Sequence, residues 1–264
     1  MTLVAGVSFI DDIRSLPDSV RLAAQFVAMA MMFYQLDLLH WDMWWMVIVA
    51  LVVCVGASNI INFMDGVNGI TGAYALASLV PLNSSMGFVD QSLIYVVILA
   101  DVVFCFFNFR PKGKAKCFAG DVGSIGVAYI LLFLTGSLVL ATGDITWLIF
   151  LLVYGVDGCL TICHRIMLHE NLGEAHRKHV YLLMANELKI GHVKVSSFYA
   201  LLQLAVSVGF IFLCPVLESA CGLSLVAWHW IYLFVALTML SVAYVLFMMK
   251  YYHLHEEYLA SLRK

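Results

Sequence analysis

The sequence predicts an all-α, polytopic integral membrane protein with about eight transmembrane helices, and three observations carry that prediction. The chain is 63% hydrophobic and 12% charged, with a mean hydropathy of +0.96. Soluble domains are roughly 45–50% apolar and 25% charged. Apolar runs able to cross a bilayer fall at 20–39, 43–63, 69–88, 92–109, 123–142, 145–163, 195–215 and 224–249, each near the roughly 20 residues a spanning helix needs. When the loops between them are assigned alternately to two sides, all 14 Lys and Arg residues fall on one side. The positive-inside rule makes that side cytoplasmic and puts both termini and the polar loops there, in a multi-pass protein of the cell inner (plasma) membrane.

In chain order, Asp11-Asp12 ends a short apolar run, Val4 to Ile10, before Arg14, Pro17 and the first span, which carries Arg21 and Gln25. Adjacent carboxylates repel, so the pair makes sense where a cation, an arginine or a proton offsets the charge, as at a metal site or a general base. The second span closes on Asn59, Asn62 and Asp65, three residues apart and so on one helical face, beside Gly66 and Gly69 where the helix must open. Polar groups at that depth are costly unless they face a cavity or a partner. The fourth span runs into Arg110, Lys112, Lys114 and Lys116, then Gly120-Asp121-Val122-Gly123-Ser124 opens the fifth. The glycines, Gly120 first, permit close backbone approach, Asp121 offers a hard oxygen ligand, and lysines such as Lys116 can offset phosphate charge. The stretch 164–192 holds His164, His169, His176, His179 and His192. Tryptophans at the outward helix ends fit an interfacial belt, and the terminal His253, His255, Glu256 and Glu257 read as a solvated amphipathic tail.

Several classes are excluded or weakened. A net charge of −3 gives no concentrated basic face, so nucleic acid is not a partner. The seven cysteines form no CxxC pair and lie mostly in apolar runs; only Cys214 and Cys221, flanking one outward loop, are placed to pair. A transporter with Asp101 at a midplane site should show inverted repeats, and none are visible. Residues 1–264 read as a single transmembrane catalytic domain with cytoplasmic active-site loops.

FIDD (Phe9 to Asp12) with Arg21 and Gln25, NIINFMDGVNG (Asn59 to Gly69), FNF followed by FAGDVGS (Phe107 to Phe109, Phe118 to Ser124), and HENLGEAHRKHVY (His169 to Tyr181) stand in that order. Together they resemble the polyprenyl-phosphate N-acetylhexosamine-1-phosphate transferases, the MraY/WecA superfamily of glycosyltransferase family 4 type. The resemblance implies Asp121 as principal magnesium ligand with Asn62 as second, manganese being a substitute metal. It implies Asp65 and Asn108 in a nucleotide-sugar pocket, Asp11 and Asp12 at the lipid phosphate, and His176 and His179 on phosphate. The implied partners are a UDP-N-acetylhexosamine, a polyprenyl (undecaprenyl) phosphate and membrane lipid, with a homodimer left open. The implied reaction moves a sugar 1-phosphate to the lipid with release of UMP, the opening step of lipid-linked cell-envelope glycan synthesis. Departures are Asn68, where some relatives have Asp, a long basic interval between Asn108 and Asp121, and HRKH in place of three consecutive histidines. Asn68 puts in question whether every family acid is required, while the long basic interval and HRKH point to the WecA-like branch. Relatives carry further helices ahead of the Asp pair, so the expectation is a chain lacking them, with Asp11-Asp12 poorly fixed on a helix of two or three turns. A catalytically impaired fragment or scaffold is the alternative.

Overall fold

The computed structural model describes residues 1–39, 41–85, 87, 91–171 and 176–262; residues 172–175 of the histidine stretch, and Arg263 and Lys264, lie outside them. Among the described residues there are ten α-helices and no strand. They are α1 Thr2–Ile13, α2 Asp18–Gln35, α3 Trp44–Phe63, α4 Ile70–Ser85, α5 Gln91–Asn108, α6 Gly120–Thr142, α7 Leu152–Met167, α8 Val180–Asn186, α9 His192–Cys221 and α10 Leu225–Leu262. A 3₁₀ segment, Ile145–Leu151, runs straight into α7 and completes that span.

Each of the eight expected apolar runs is matched, among the described residues, by a helix over most of its length. Among the described residues, six helices are long and apolar enough to cross a membrane: α3, α5, α6, α7 with its 3₁₀ lead, α9 and α10. The other two fall short for different reasons. α2 carries Asp18, Arg21 and Gln25 on its first turns. α4 has only 16 residues, but it is largely enclosed, with Ile70, Tyr74, Ala75, Leu79 and Leu82 buried and its main packing against α9.

The bundle interior is polar where polarity is internally satisfied. Gln203 of α9 accepts from Tyr74 Oη at 2.8 Å and from Val153 N at 3.1 Å, and donates to Ile149 O at 3.0 Å and Ser207 Oγ at 2.9 Å. Lipid offers no competing partner, so such a network fixes α4, α7 and α9 in register. Tyr74 stacks on Tyr154, and Tyr154 Oη donates to Ile70 O at 3.0 Å.

Two expectations are corrected. The C-terminal tail is not solvated throughout: α10 continues to Leu262, and His255, 2% exposed, bonds Glu187 Oε1 at 2.7 Å, pinning α10 beside α8. Asp11 and Asp12 are not loosely held, because α1 packs along α6 and α2 and both carboxylates are engaged. Cys214 and Cys221 are both free.

Candidate active site

The C-terminal ends of α1, α3, α5 and α7 and the N-terminal ends of α2, α4, α6, α8 and α9 meet at one end of the bundle, and all four polar motifs lie there. The first group is acidic. Asp11 Oδ1 accepts from Leu16 N at 2.6 Å and its Oδ2 from Arg21 Nη1 at 3.0 Å. Arg21 Nη1 also stands 3.7 Å from Asp121 Oδ2, and its Nη2 pairs with Asp18. Asp12 Oδ1 accepts from Asp121 N at 3.2 Å. Asn62 Nδ2 donates to Asp121 Oδ1 at 3.3 Å, and Ser124 Oγ donates to Asn62 Oδ1. Arg21 therefore offsets the charge of the paired acids, as adjacent carboxylates require. Gly120 is needed for two reasons: its φ is +58°, and a Cβ there would stand 2.6 Å from Asp12 Oδ2.

Beside this group lies a cavity of about 280 Å³, walled by Asp65, Gly66, Asn68, Asn108, Lys112, Phe118 and His192 among others. Asn108 braces it: Oδ1 accepts from Gly69 N at 2.6 Å and Nδ2 donates to Cys117 O at 2.7 Å. Asn68 holds the basic loop by donating to Arg110 O at 3.0 Å and Pro111 O at 3.1 Å, while its own N–H donates to His192 Nδ1 at 3.1 Å. That bond leaves the ring proton on Nε2. Asp65 accepts from Thr71 Oγ1 at 2.6 Å. Burial pushes its carboxyl up to about 6, against the pull of Thr71, and the charge of Asp121 adds to the rise.

The third group is histidine-based. The rings of His176 and His179 lie 4.9 Å apart, and His176 stands edge-on to Phe63, the residue after Asn62. Tyr181 Oη donates to Phe63 O at 2.8 Å and lies so close to Gly66 that a Cβ there would overlap it. Burial and the neighbouring His179 and Arg165 charges bring His176 down to about 4. It is a neutral ring near pH 7, a hydrogen-bond partner rather than a cation. His179 is buried, with Nδ1 3.2 Å from Asp157 Oδ1.

The expected residues are thus gathered, with two exceptions. Asn59 is spent on a helix–helix tie, donating to Gln25 Oε1 at 2.7 Å and to Val55 O at 2.8 Å. Lys116 is exposed and does not line the cavity; Lys112 does. Sequence reasoning gave no site role to Phe118, 77% exposed at the cavity, or to His192, which also lines it. An apolar ring left exposed between a basic loop and a glycine was the available signal for Phe118.

The family model of glycosyl transferase family 4 matches residues 1–141, which hold three of the four motifs. The chain belongs to that family. Within the MraY/WecA superfamily, it is 36% identical over 99 residues to a phospho-N-acetylmuramoyl-pentapeptide-transferase of Kosmotoga olearia, a stretch covering 37% of this chain and 29% of that protein. It is 35% identical over 91 residues to the same enzyme of Shouchella clausii, covering 33% and 27%. A probable undecaprenyl-phosphate N-acetylglucosaminyl 1-phosphate transferase of Bacillus subtilis is 36% identical over 85 residues, covering 31% and 23%. The chain matches less than a third of the length of each of these curated relatives, and both branches match with equal identity.

The donor set suits a hard divalent cation. Among the described residues no three His, Cys, Asp or Glu side chains form a ready metal cage. Asp12 and Asp121 instead bring hard carboxylate oxygens together, while Asn62 turns its amide nitrogen to Asp121 and its oxygen to Ser124; magnesium typically binds through one or two carboxylates plus waters and substrate phosphates.

Proposed function

We propose that this chain transfers a sugar 1-phosphate from a UDP-N-acetylhexosamine to a polyprenyl phosphate at the cytoplasmic membrane face, releasing UMP. The observation that carries the reading is the junction of an acidic, oxygen-rich cluster with a nucleotide-sized cavity containing an exposed aromatic ring, at one end of an apolar bundle. Phe118 offers a face for a planar base, Asp65 an acceptor, His192 Nε2–H a donor and Lys112 a charge for phosphate.

Asp121, Asp12 and Asn62 would hold magnesium, which when bound neutralises and orients diphosphate oxygens. An oxygen of the lipid phosphate attacks the β-phosphorus, the bond from that phosphorus to the bridging oxygen breaks, and UMP leaves with the bridging oxygen. The sugar 1-phosphate is then joined to the lipid as a diphosphate. Asp11, held by Arg21, keeps the carboxylate pair in place, and positioning plus charge neutralisation supply most of such catalysis. Residues 1–264 act as a single transmembrane domain, and HRKH with the long basic interval between Asn108 and Asp121 favours a simple UDP-sugar over a muramoyl-peptide donor.

The test is UMP release by the purified protein with undecaprenyl phosphate, magnesium and a panel of UDP-sugars including UDP-MurNAc-pentapeptide. Turnover with a UDP-N-acetylhexosamine is expected, together with its loss on chelation. Turnover with the pentapeptide donor alone overturns the branch assignment, and no UMP from any donor overturns the reading.

A further inference from the structure

Asp157 lies on α7, well apart in sequence from the acidic motifs, and its carboxylate is fully engaged. Oδ1 accepts from Val180 N at 3.2 Å and Thr161 Oγ1 at 3.2 Å, and meets His179 Nδ1 at 3.2 Å; Oδ2 accepts from Tyr199 Oη at 2.6 Å. Thr161 is itself in contact with Tyr244 Oη at 3.0 Å. A carboxylate oxygen only accepts, so the proton on His179 sits on Nδ1. The other ring nitrogen, Nε2, is buried and has no partner among the described residues. Its ring stands between those of His176 at 4.9 Å and Tyr181 at 5.7 Å. A buried ring nitrogen without a partner is costly to keep. The neighbouring Tyr181 packs against Gly66 of the cavity wall, so a ligand extending from that cavity is placed to complete it.

We infer that Asp157, held by Tyr199 and Thr161, is a positioning residue that locks the His179 ring with Nδ1 protonated and Nε2 directed at the phosphate groups of the substrate. The inference rests on the transferase reading for the identity of that substrate. With Nδ1–H held by Asp157, the ring is kept from rotating and Nε2 is the one ring position left to face a phosphate oxygen. Phosphate recognition by His179 is thereby assigned to a carboxylate on a different helix.

The test uses the full chain in nanodiscs and the variants Asp157→Asn and Tyr199→Phe. Asp157→Asn should lower kcat for UMP release about 100-fold while KM for the UDP-sugar stays within about twofold, with a smaller fall for Tyr199→Phe. Asp157→Glu should recover part of the loss. In parallel, 15N NMR of labelled histidines, with His179 assigned by His179→Gln, should show the Nδ1–H tautomer in the parent and a shift toward Nε2–H in Asp157→Asn. A parent His179 in the Nε2–H form overturns the inference, as does an Asp157→Asn kcat within about threefold of the parent. Should the parent release no UMP, the transferase reading has failed and the NMR result alone decides whether Asp157 fixes the ring.

Discussion

Asp121 shows how little of a residue's setting its motif reveals. Gly-Asp-Val-Gly announces a carboxylate near a ligand, but the structure adds what surrounds it: Asn62 on one oxygen, Arg21 near the other, and Asp12 on its backbone N–H. Replacing Asp121 with Asn keeps the size and removes the charge that a cation needs. We expect UMP release to fall at least about 100-fold with unchanged expression and melting temperature, since metal sites tolerate such losses poorly; activity within threefold removes Asp121 from the metal site. Asp65 carries a pH prediction. Its carboxyl is raised to about 6, mainly by burial. The fold therefore favours the neutral form, and the stability this confers is complete below the unfolded value of about 3.9 and lost as pH rises through about 6. Function runs the opposite way, because a nucleotide N–H needs the ionised acceptor. The kcat/KM for the UDP-sugar should rise through pH 6, and Asp65→Asn should flatten that limb. An acidic limb that persists in Asp65→Asn assigns it to another group.

At the scale of elements, the long apolar helices were legible because lipid enforces both length and hydropathy, and the four motifs were legible because each interrupts that pattern. What the sequence hid was determined by packing. Asn59 belonged to the same stripe as Asn62 and Asp65, yet Gln25 opposite claims it. The last turns of α10 read as a polar tail because the partners of His255 and Tyr252, namely Glu187 and Lys178, lie more than 60 residues away. Among the lysines of the basic loop, only the fold distinguishes Lys112, at the cavity, from Lys116, which is exposed outside it. Lys112→Gln should raise KM for the UDP-sugar several-fold and Lys116→Gln should leave it unchanged; equal effects would mean that the loop acts only through its summed charge. The turn between α3 and α4 is sharper in its demands. Gly69 has φ +83°, its N–H meets Asn108, and a Cβ would overlap the Phe109 ring. Gly69→Ala should cost about 1–3 kcal/mol in strain, read as a lower melting temperature with loss of nucleotide-sugar binding. An unshifted melting temperature would falsify the backbone requirement.

On the scale of the whole molecule, the sorting of charge and the placing of the site are the same fact. Arg14 and Arg21 flank the turn between α1 and α2, Arg110 to Lys116 lie between α5 and α6, Arg165 to Lys194 run from the end of α7 to the start of α9, and Lys250 sits on the part of α10 that approaches α8. All of these lie at the end that carries Asp121 and the cavity. The other end is held by neutral packing and by Asp144, which accepts from Thr146 N at 2.9 Å and pairs with His229 at 2.7 Å. The positive-inside rule would insert the chain with this end in the cytoplasm, which is the orientation the transferase proposal requires. Two native cysteines report on it: Cys117 beside the cavity end and Cys221, exposed at the opposite end. In variants retaining one or the other, a membrane-impermeant maleimide added to intact cells should modify Cys221 and spare Cys117. Inverted membrane vesicles should reverse the pattern. Labelling of Cys117 from outside intact cells would place Lys112 and Asp121 on the face without nucleotide sugars, and the transferase proposal would fall with the topology.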